Sequence, residues 1–269
     1  MRQQILTISL CCVFILSALS DVLSQPLHRT DLSNLRVNAF AQDSLGYIWI
    51  ATANGLCKSF GESYDVFFYD EADEHSIPSN LITGLYVDDA SKLWISTGKG
   101  ICSMARGKYE FHRYSQSTST GMESFFLGFV QYAGRIYTYG YNGLYEIDEK
   151  NKTLIPRIEV DRQVIYGAVT DSHGNLWLTN GAELIKLDRS LSLISKIVVG
   201  RDDVVNCMVS DREKILLGTE NGIKLLDLHS LEISDGDFPH ALDDLRINQM
   251  LPVDGGRKLL ISTRNKGAL

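Results

Sequence analysis

The side chains best suited to recognising a ligand are Asn38, Thr83, Phe126, Tyr166, Asn206 and Asn248, which stand 11, 11, 11, 11, 10 and 12 residues before Trp49, Trp94, Tyr137, Trp177, Leu216 and Leu260. Amides and a hydroxyl pair with sugar hydroxyls, and aromatic faces stack on sugar rings. Brought to one place, such a set suits a neutral polyol, so the expected partner is a small molecule or an oligosaccharide. Arg36 and Arg246 precede Asn38 and Asn248 by two residues and add guanidinium groups suited to an acidic sugar. The competing reading is structural, because Asn and Thr at recurring positions also satisfy backbone groups of a neighbouring unit.

Other chemistries lack their residues. None of the six positions carries Asp or Glu, whereas a glycosidase needs two carboxylates converging on the scissile bond. The histidines at 28, 75, 112, 173, 229 and 240 fall at unrelated places, so no metal triad or Ser/His/Asp set is written in the chain. Asp70, Glu71, Asp73, Glu74 and His75 lack the alternating spacing and central glycine of a calcium loop and read as a solvated loop. Beyond Cys11 and Cys12 the chain has Cys57, Cys102 and Cys207, an odd set at wide spacings that suggests buried free thiols rather than a disulfide framework. No metal and no cofactor is expected. With 26 basic against 33 acidic side chains, a net charge of −7, the chain lacks the basic footprint of a nucleic-acid binder.

What must position the six residues is a repeat. DSLGYIWIATANGL (Asp43 to Leu56) returns as DDASKLWISTGKGI (Asp88 to Ile101), YAGRIYTYGYNGL (Tyr132 to Leu144) and DSHGNLWLTNGAEL (Asp171 to Leu184). Weaker copies run from Asp211 to Ile223 and from Asp254 to Leu269. The bulky places are 45, 43, 40, 39 and 44 residues apart, a period that marks a β-propeller blade or another repeat array. Within the first copy, Val37 to Gln42 and Tyr47 to Thr52 are short β-branched and aromatic runs flanking a tight Asp43-Ser44-Leu45-Gly46 turn. Asn54-Gly55 turns the chain again into Leu56 to Phe60, and Asp65 to Tyr69 supplies a fourth strand. Helical solenoids of similar period would need a 3.6-residue periodicity that is absent. The expected fold is therefore all-β, a propeller of four-stranded antiparallel blades with about six repeats, near 37–60, 82–104, 126–147, 165–187, 205–227 and 247–269, the last incomplete. The tryptophans read as packing between sheets, and Asp43, Asp171 and Asp254 as turn acceptors rather than acids.

The unit VNAFAQDSLGYIWIATANGLCKSF closely resembles the two-component regulator propeller repeat, most clearly in copies one, two and four, and the resemblance extends over about Asp31 to Leu269. It implies the periplasmic sensor portion of a hybrid two-component regulator, one that binds a ligand, works as a homodimer and passes a change of geometry to a kinase. Family sensors also carry further blades, a small β-sandwich, a membrane span, a histidine kinase, a receiver and often a DNA-binding module, none of which is in this sequence. The chain itself is thus expected to bind rather than catalyse. Residues 1–24, with Arg2, an apolar run from Ile5 to Leu19 and small residues up to Ser24, read as a secretory signal peptide, or else an uncleaved anchor, which puts residues 25–269 in the periplasm or elsewhere outside the cytoplasm. Contact with a membrane would come only through an uncleaved leader or parts beyond this sequence. The alternatives are a secreted propeller enzyme of lyase or glycosidase type and a scaffold for protein partners. A sixth repeat lacking outer strands exposes unpaired backbone groups. Residues 25–269 purified alone are expected to self-associate in size-exclusion chromatography; a monomer that unfolds cooperatively would contradict this.

Overall fold

The computed structural model describes residues 32–34, 36–60, 63–116, 125–200, 203–236, 238–239, 242–253, 256–263 and 267–268. The leader-like segment 1–24 and Asp254 lie outside them. The described strands form six successive meanders. The first comprises β1 (Val37–Gln42), β2 (Ile48–Thr52), β3 (Gly55–Phe60) and β4 (Ser63–Phe67). The second comprises β5 (Ile82–Val87), β6 (Leu93–Thr97), β7 (Gly100–Met104) and β8 (His112–Gln116), and the third β9 (Phe126–Tyr132), β10 (Arg135–Asp148) and β11 (Thr153–Val164). The fourth holds β12 (Gly167–Thr170), β13 (Leu176–Thr179), β14 (Glu183–Leu187) and β15 (Leu193–Val198). The fifth holds β16 (Val205–Asp211), β17 (Lys214–Thr219), β18 (Gly222–Asp227) and β19 (Ile233–Ser234), and the sixth β20 (Ile247–Val253), β21 (Lys258–Thr263) and β22 (Gly267–Ala268).

Pairing within each meander is antiparallel, as expected from the turns. Gly46 and Gly55 adopt φ of 87° and 114°, the left-handed region that glycine enters without a steric penalty. Two features depart from independent four-stranded units. In the third repeat β10 runs unbroken for 14 residues, pairing with β9 through Arg135 to Gly140 and with β11 through Tyr141 to Asp148. Then β11 pairs in parallel with β8, Thr153 opposite Ser115 and Leu154 opposite Gln116, fusing the second and third meanders into one seven-stranded sheet.

The innermost strands β1, β5, β9, β12, β16 and β20 touch one another in that order, and β20 lies back against β1. At this last contact the Gln249 amide accepts from the Phe40 N–H and donates to the Phe40 carbonyl at 3.2 Å, imitating a strand partner. The core consists of side chains pressed between consecutive meanders. Trp49 packs with Leu85 and Ile95, Trp94 with Phe126 and Phe129, and Trp177 with Val205 and Met208. Tyr137 and Leu216 fill the same place at the next seams, against Ala168 and Ile247, and Leu260 packs on Phe40 and Ile50 of the first meander. Burial of one such ring contributes about 2 to 3 kcal/mol.

Each tryptophan is also tethered. The indole N–H of Trp49, Trp94 and Trp177 donates to Asp43, Asp88 and Asp171 at 3.0, 2.8 and 2.8 Å. The same carboxylates hold the turn, since Asp43 accepts the Leu45 and Tyr47 N–H groups and Asp171 those of His173 and Asn175. Burial pushes the Asp171 carboxyl up, but the Asn175 N–H, the Trp177 indole and the Asn175 amide stabilise the anion by more and hold it below the ordinary carboxylate range. A depressed folded-state value contributes stability that is complete above the unfolded value of about 4 and is lost as pH falls through the folded value. Asp171→Asn should therefore cost about 1–3 kcal/mol near neutral pH and flatten the loss of stability between about pH 5 and pH 2, as read by urea unfolding at each pH.

Candidate functional site

The ring of inner strands encloses an axial cavity of about 1600 Å³ that runs their whole length, from Arg36 to Gln42 on β1 and its approach and correspondingly on the other five. Its width is set by how closely the strands approach. A Cβ at Gly84 would fall 2.3 Å from the Leu127 carbonyl oxygen on the next inner strand, so that position admits hydrogen alone. One residue earlier the register slips, at Asn38, Thr83, Leu127, Asn206 and Asn248, the extra residue of a β-bulge in each strand. The fourth strand has no slip; there Tyr166 stands at the entry to β12, its N–H bonded to the Thr179 carbonyl at 2.9 Å.

Five of the six positions read from the spacing line this cavity: Asn38, Thr83, Tyr166, Asn206 and Asn248. Phe126 does not. It is buried between meanders, edge-on to Tyr145 at 5.6 Å, and Leu127 takes its place at the axis. The one-residue error arises from the β9–β10 hairpin, where Tyr132 pairs with Arg135 across Ala133-Gly134, both at positive φ, a two-residue turn in place of the longer Asp43 to Gly46 type. Arg36 and Arg246 both line the cavity.

The lining side chains differ in what already occupies them. The Asn38 amide donates to the Ile82 carbonyl at 2.7 Å, and the Thr83 hydroxyl donates to the Phe126 carbonyl at 2.7 Å with Ser96 Oγ 2.9 Å away, so these two bind the backbone of the following meander. In contrast, Asn206 Nδ2 is buried with no partner, and the Asn248 amide has none among the described residues. Arg246 pairs with Glu220 through Nη1 at 3.2 Å, leaving its Nε buried and unpartnered. The Arg36 guanidinium makes no hydrogen bond or ion pair among the described residues. Tyr166 is 36% exposed. Beside it the cavity holds Tyr141 and Phe125, which meet edge to face at 5.8 Å. Tyr141 was not among the expected site residues, because it sits four residues after Tyr137, where the first two repeats carry Ala53 and Gly98. Comparing that place across copies would have found it. Among the described lining residues there is no carboxylate and no imidazole.

These contacts separate two substitutions that look alike in sequence. Asn38→Ala should lower stability by about 1 kcal/mol because it frees a buried carbonyl, whereas Tyr166→Ala should change it little; thermal unfolding of the two variants measures the difference.

The comparisons agree with this architecture. Residues 31–54 match the two component regulator propeller family. No curated protein sequence matches the chain. Among solved structures, the extracellular domain of the B. thetaiotaomicron hybrid two component system BT4673 superposes with a TM-score of 0.58 at 17% identity, over 87% of this chain and 39% of that one. The corresponding domain of BT3049 from the same organism gives a TM-score of 0.62 at 19% identity, over 89% and 40%. A virginiamycin B lyase from Staphylococcus aureus, in an inactive form with quinupristin, gives 0.68 at 11% identity, over 88% and 80%. The chain thus spans about two fifths of these extracellular domains. The chain has the β-propeller fold of these structures, and residues 31–54, at its first meander, are similar to the two component regulator propeller family.

Proposed function

We propose that the chain is an extracytoplasmic ligand-sensing propeller of a two-component regulatory system, closed as a six-bladed ring, that binds an oligosaccharide in its axial cavity. The observation carrying this reading is the character of the cavity wall. Asn206 offers a buried amide N–H without a partner among the described residues, Asn248 a second amide, and Tyr166 and Tyr141 ring faces and hydroxyls on the same wall. Such a wall pairs with hydroxyls and stacks on sugar faces. The matched repeat and the likeness to extracellular domains of two-component systems support a sensing role and a place outside the cytoplasm. In this reading a pair of sensors responds together, and the chain senses without a kinase output of its own.

The lyase neighbour raises a second possibility, catalysis at the axis. General acid-base chemistry there would require groups that take and give protons near neutral pH, and the described wall supplies none. The wall is therefore better suited to holding a ligand than to cleaving one.

The test is a thermal-shift screen of neutral oligosaccharides followed by calorimetry on the hits, using wild-type chain and a Tyr166→Ala/Asn248→Ala variant. Neither side chain donates a hydrogen bond among the described residues, so the unliganded melting temperature should be nearly unchanged while affinity falls by more than about tenfold, ~1.4 kcal/mol. Affinity that survives in the variant removes the axial site.

A further inference from the structure

The chain carries a net charge of −7, yet the only charged side chains among the described residues of the cavity wall are two arginines, Arg36 and Arg246. They come from the approaches to β1 and β20, which lie side by side where the sixth meander meets the first. Neither is fully employed. Arg36 has no side-chain partner among the described residues, and Arg246 offers one edge to Glu220 while its Nε–H is buried without an acceptor. A buried N–H left unpaired costs free energy that a bound acceptor would recover. A guanidinium presents its donors in a fixed planar fork that matches two oxygens of one anionic group, and a wall without carboxylates sets up a positive potential that draws such a group in. A neutral sugar would satisfy Asn206, Asn248 and the tyrosines but leave Arg36 without an opposite charge among the described residues and the Arg246 Nε–H without an acceptor.

We infer that the ligand of the axial cavity is an anionic sugar, a uronate or a sulfated sugar, whose charged group is held between Arg36 and Arg246 while its hydroxyls meet Asn206 and Asn248. The inference rests on the reading of the cavity as a sugar site. It adds a requirement for charge, and it assigns the two arginines as the residues that select it. Arg36 carries more of the selectivity, because Glu220 already neutralises part of Arg246.

Calorimetry at fixed ionic strength with trigalacturonate, galactose 6-sulfate and galactotriose tests it, on wild-type chain and on the Arg36→Gln and Tyr166→Ala variants. An anionic probe should bind wild type, and Arg36→Gln should weaken it by about tenfold or more without moving the unliganded melting temperature. Its affinity should also fall as salt rises from about 50 to about 300 mM. Which anionic probe binds decides between carboxylate and sulfate. Failure of both anionic probes to bind wild type, or an Arg36→Gln variant that binds them unchanged, overturns the inference. If galactotriose binds wild type as tightly as trigalacturonate and loses affinity only in Tyr166→Ala, the anion requirement falls and the sugar site stands. If Tyr166→Ala leaves every affinity unchanged, the sugar site falls with it.

Discussion

A single bulky side chain per repeat, pressed into the neighbouring meander, is the contact on which the rest of this structure depends. Trp49, Trp94 and Trp177 are 2%, 0% and 0% exposed, and each reaches across a seam rather than into its own sheet. An isolated meander of four short strands has no core of its own, so it is stable only with neighbours on both sides. The tether from indole to turn aspartate gives the contact direction as well as area. One carboxylate receives the indole N–H and the backbone N–H groups of the hairpin, so the geometry of the turn and the position of the ring are set together.

Closure follows from carrying the same contact around. Where Leu260 takes the tryptophan place it packs on Phe40 and Ile50, and the Gln249 amide supplies the backbone of Phe40 with a donor and an acceptor. A side chain imitating a strand is an economical way to join two ends of a ring, because the inner strands of a propeller do not pair with one another along their length. The axial cavity is then a consequence rather than a separate construction. Strands held close enough to exclude a Cβ at Gly84 must point their next side chains along the axis, and the bulge at five of the six entries turns one residue toward it.

How much of this was legible in the residues can be judged place by place. The strand order within a repeat and the packing role of the tryptophans follow from turn chemistry and from a period of about 40 to 45 residues, both of which are local properties. Phe126 was misassigned because the count ran backwards through a hairpin whose length varies, and a two-residue turn at Ala133-Gly134 shifts every residue before it by one. A one-residue slip exchanges faces of a strand, so it moved the assignment from the axis to the core. Asn38 does line the axial cavity, but its bond to the Ile82 carbonyl belongs to the following repeat, 44 residues on, where no local pattern reaches. The parallel pairing of β8 with β11 is legible from neither segment alone.

The seam where β20 meets β1 concentrates what distinguishes this ring from a regular one. Regular repeats would place equivalent side chains at every strand entry, yet the entries here carry Arg36, Leu81, Phe125, Ile165, Val204 and Arg246. Four are apolar, and the two arginines fall on strands that are distant in the chain and adjacent in space. Neither guanidinium takes part in the closing contacts that Gln249 and Leu260 make with Phe40. The seam is thus held through Phe40, Gln249 and Leu260, with Arg246 tied to Glu220 beside it and the Arg36 guanidinium outside these contacts among the described residues.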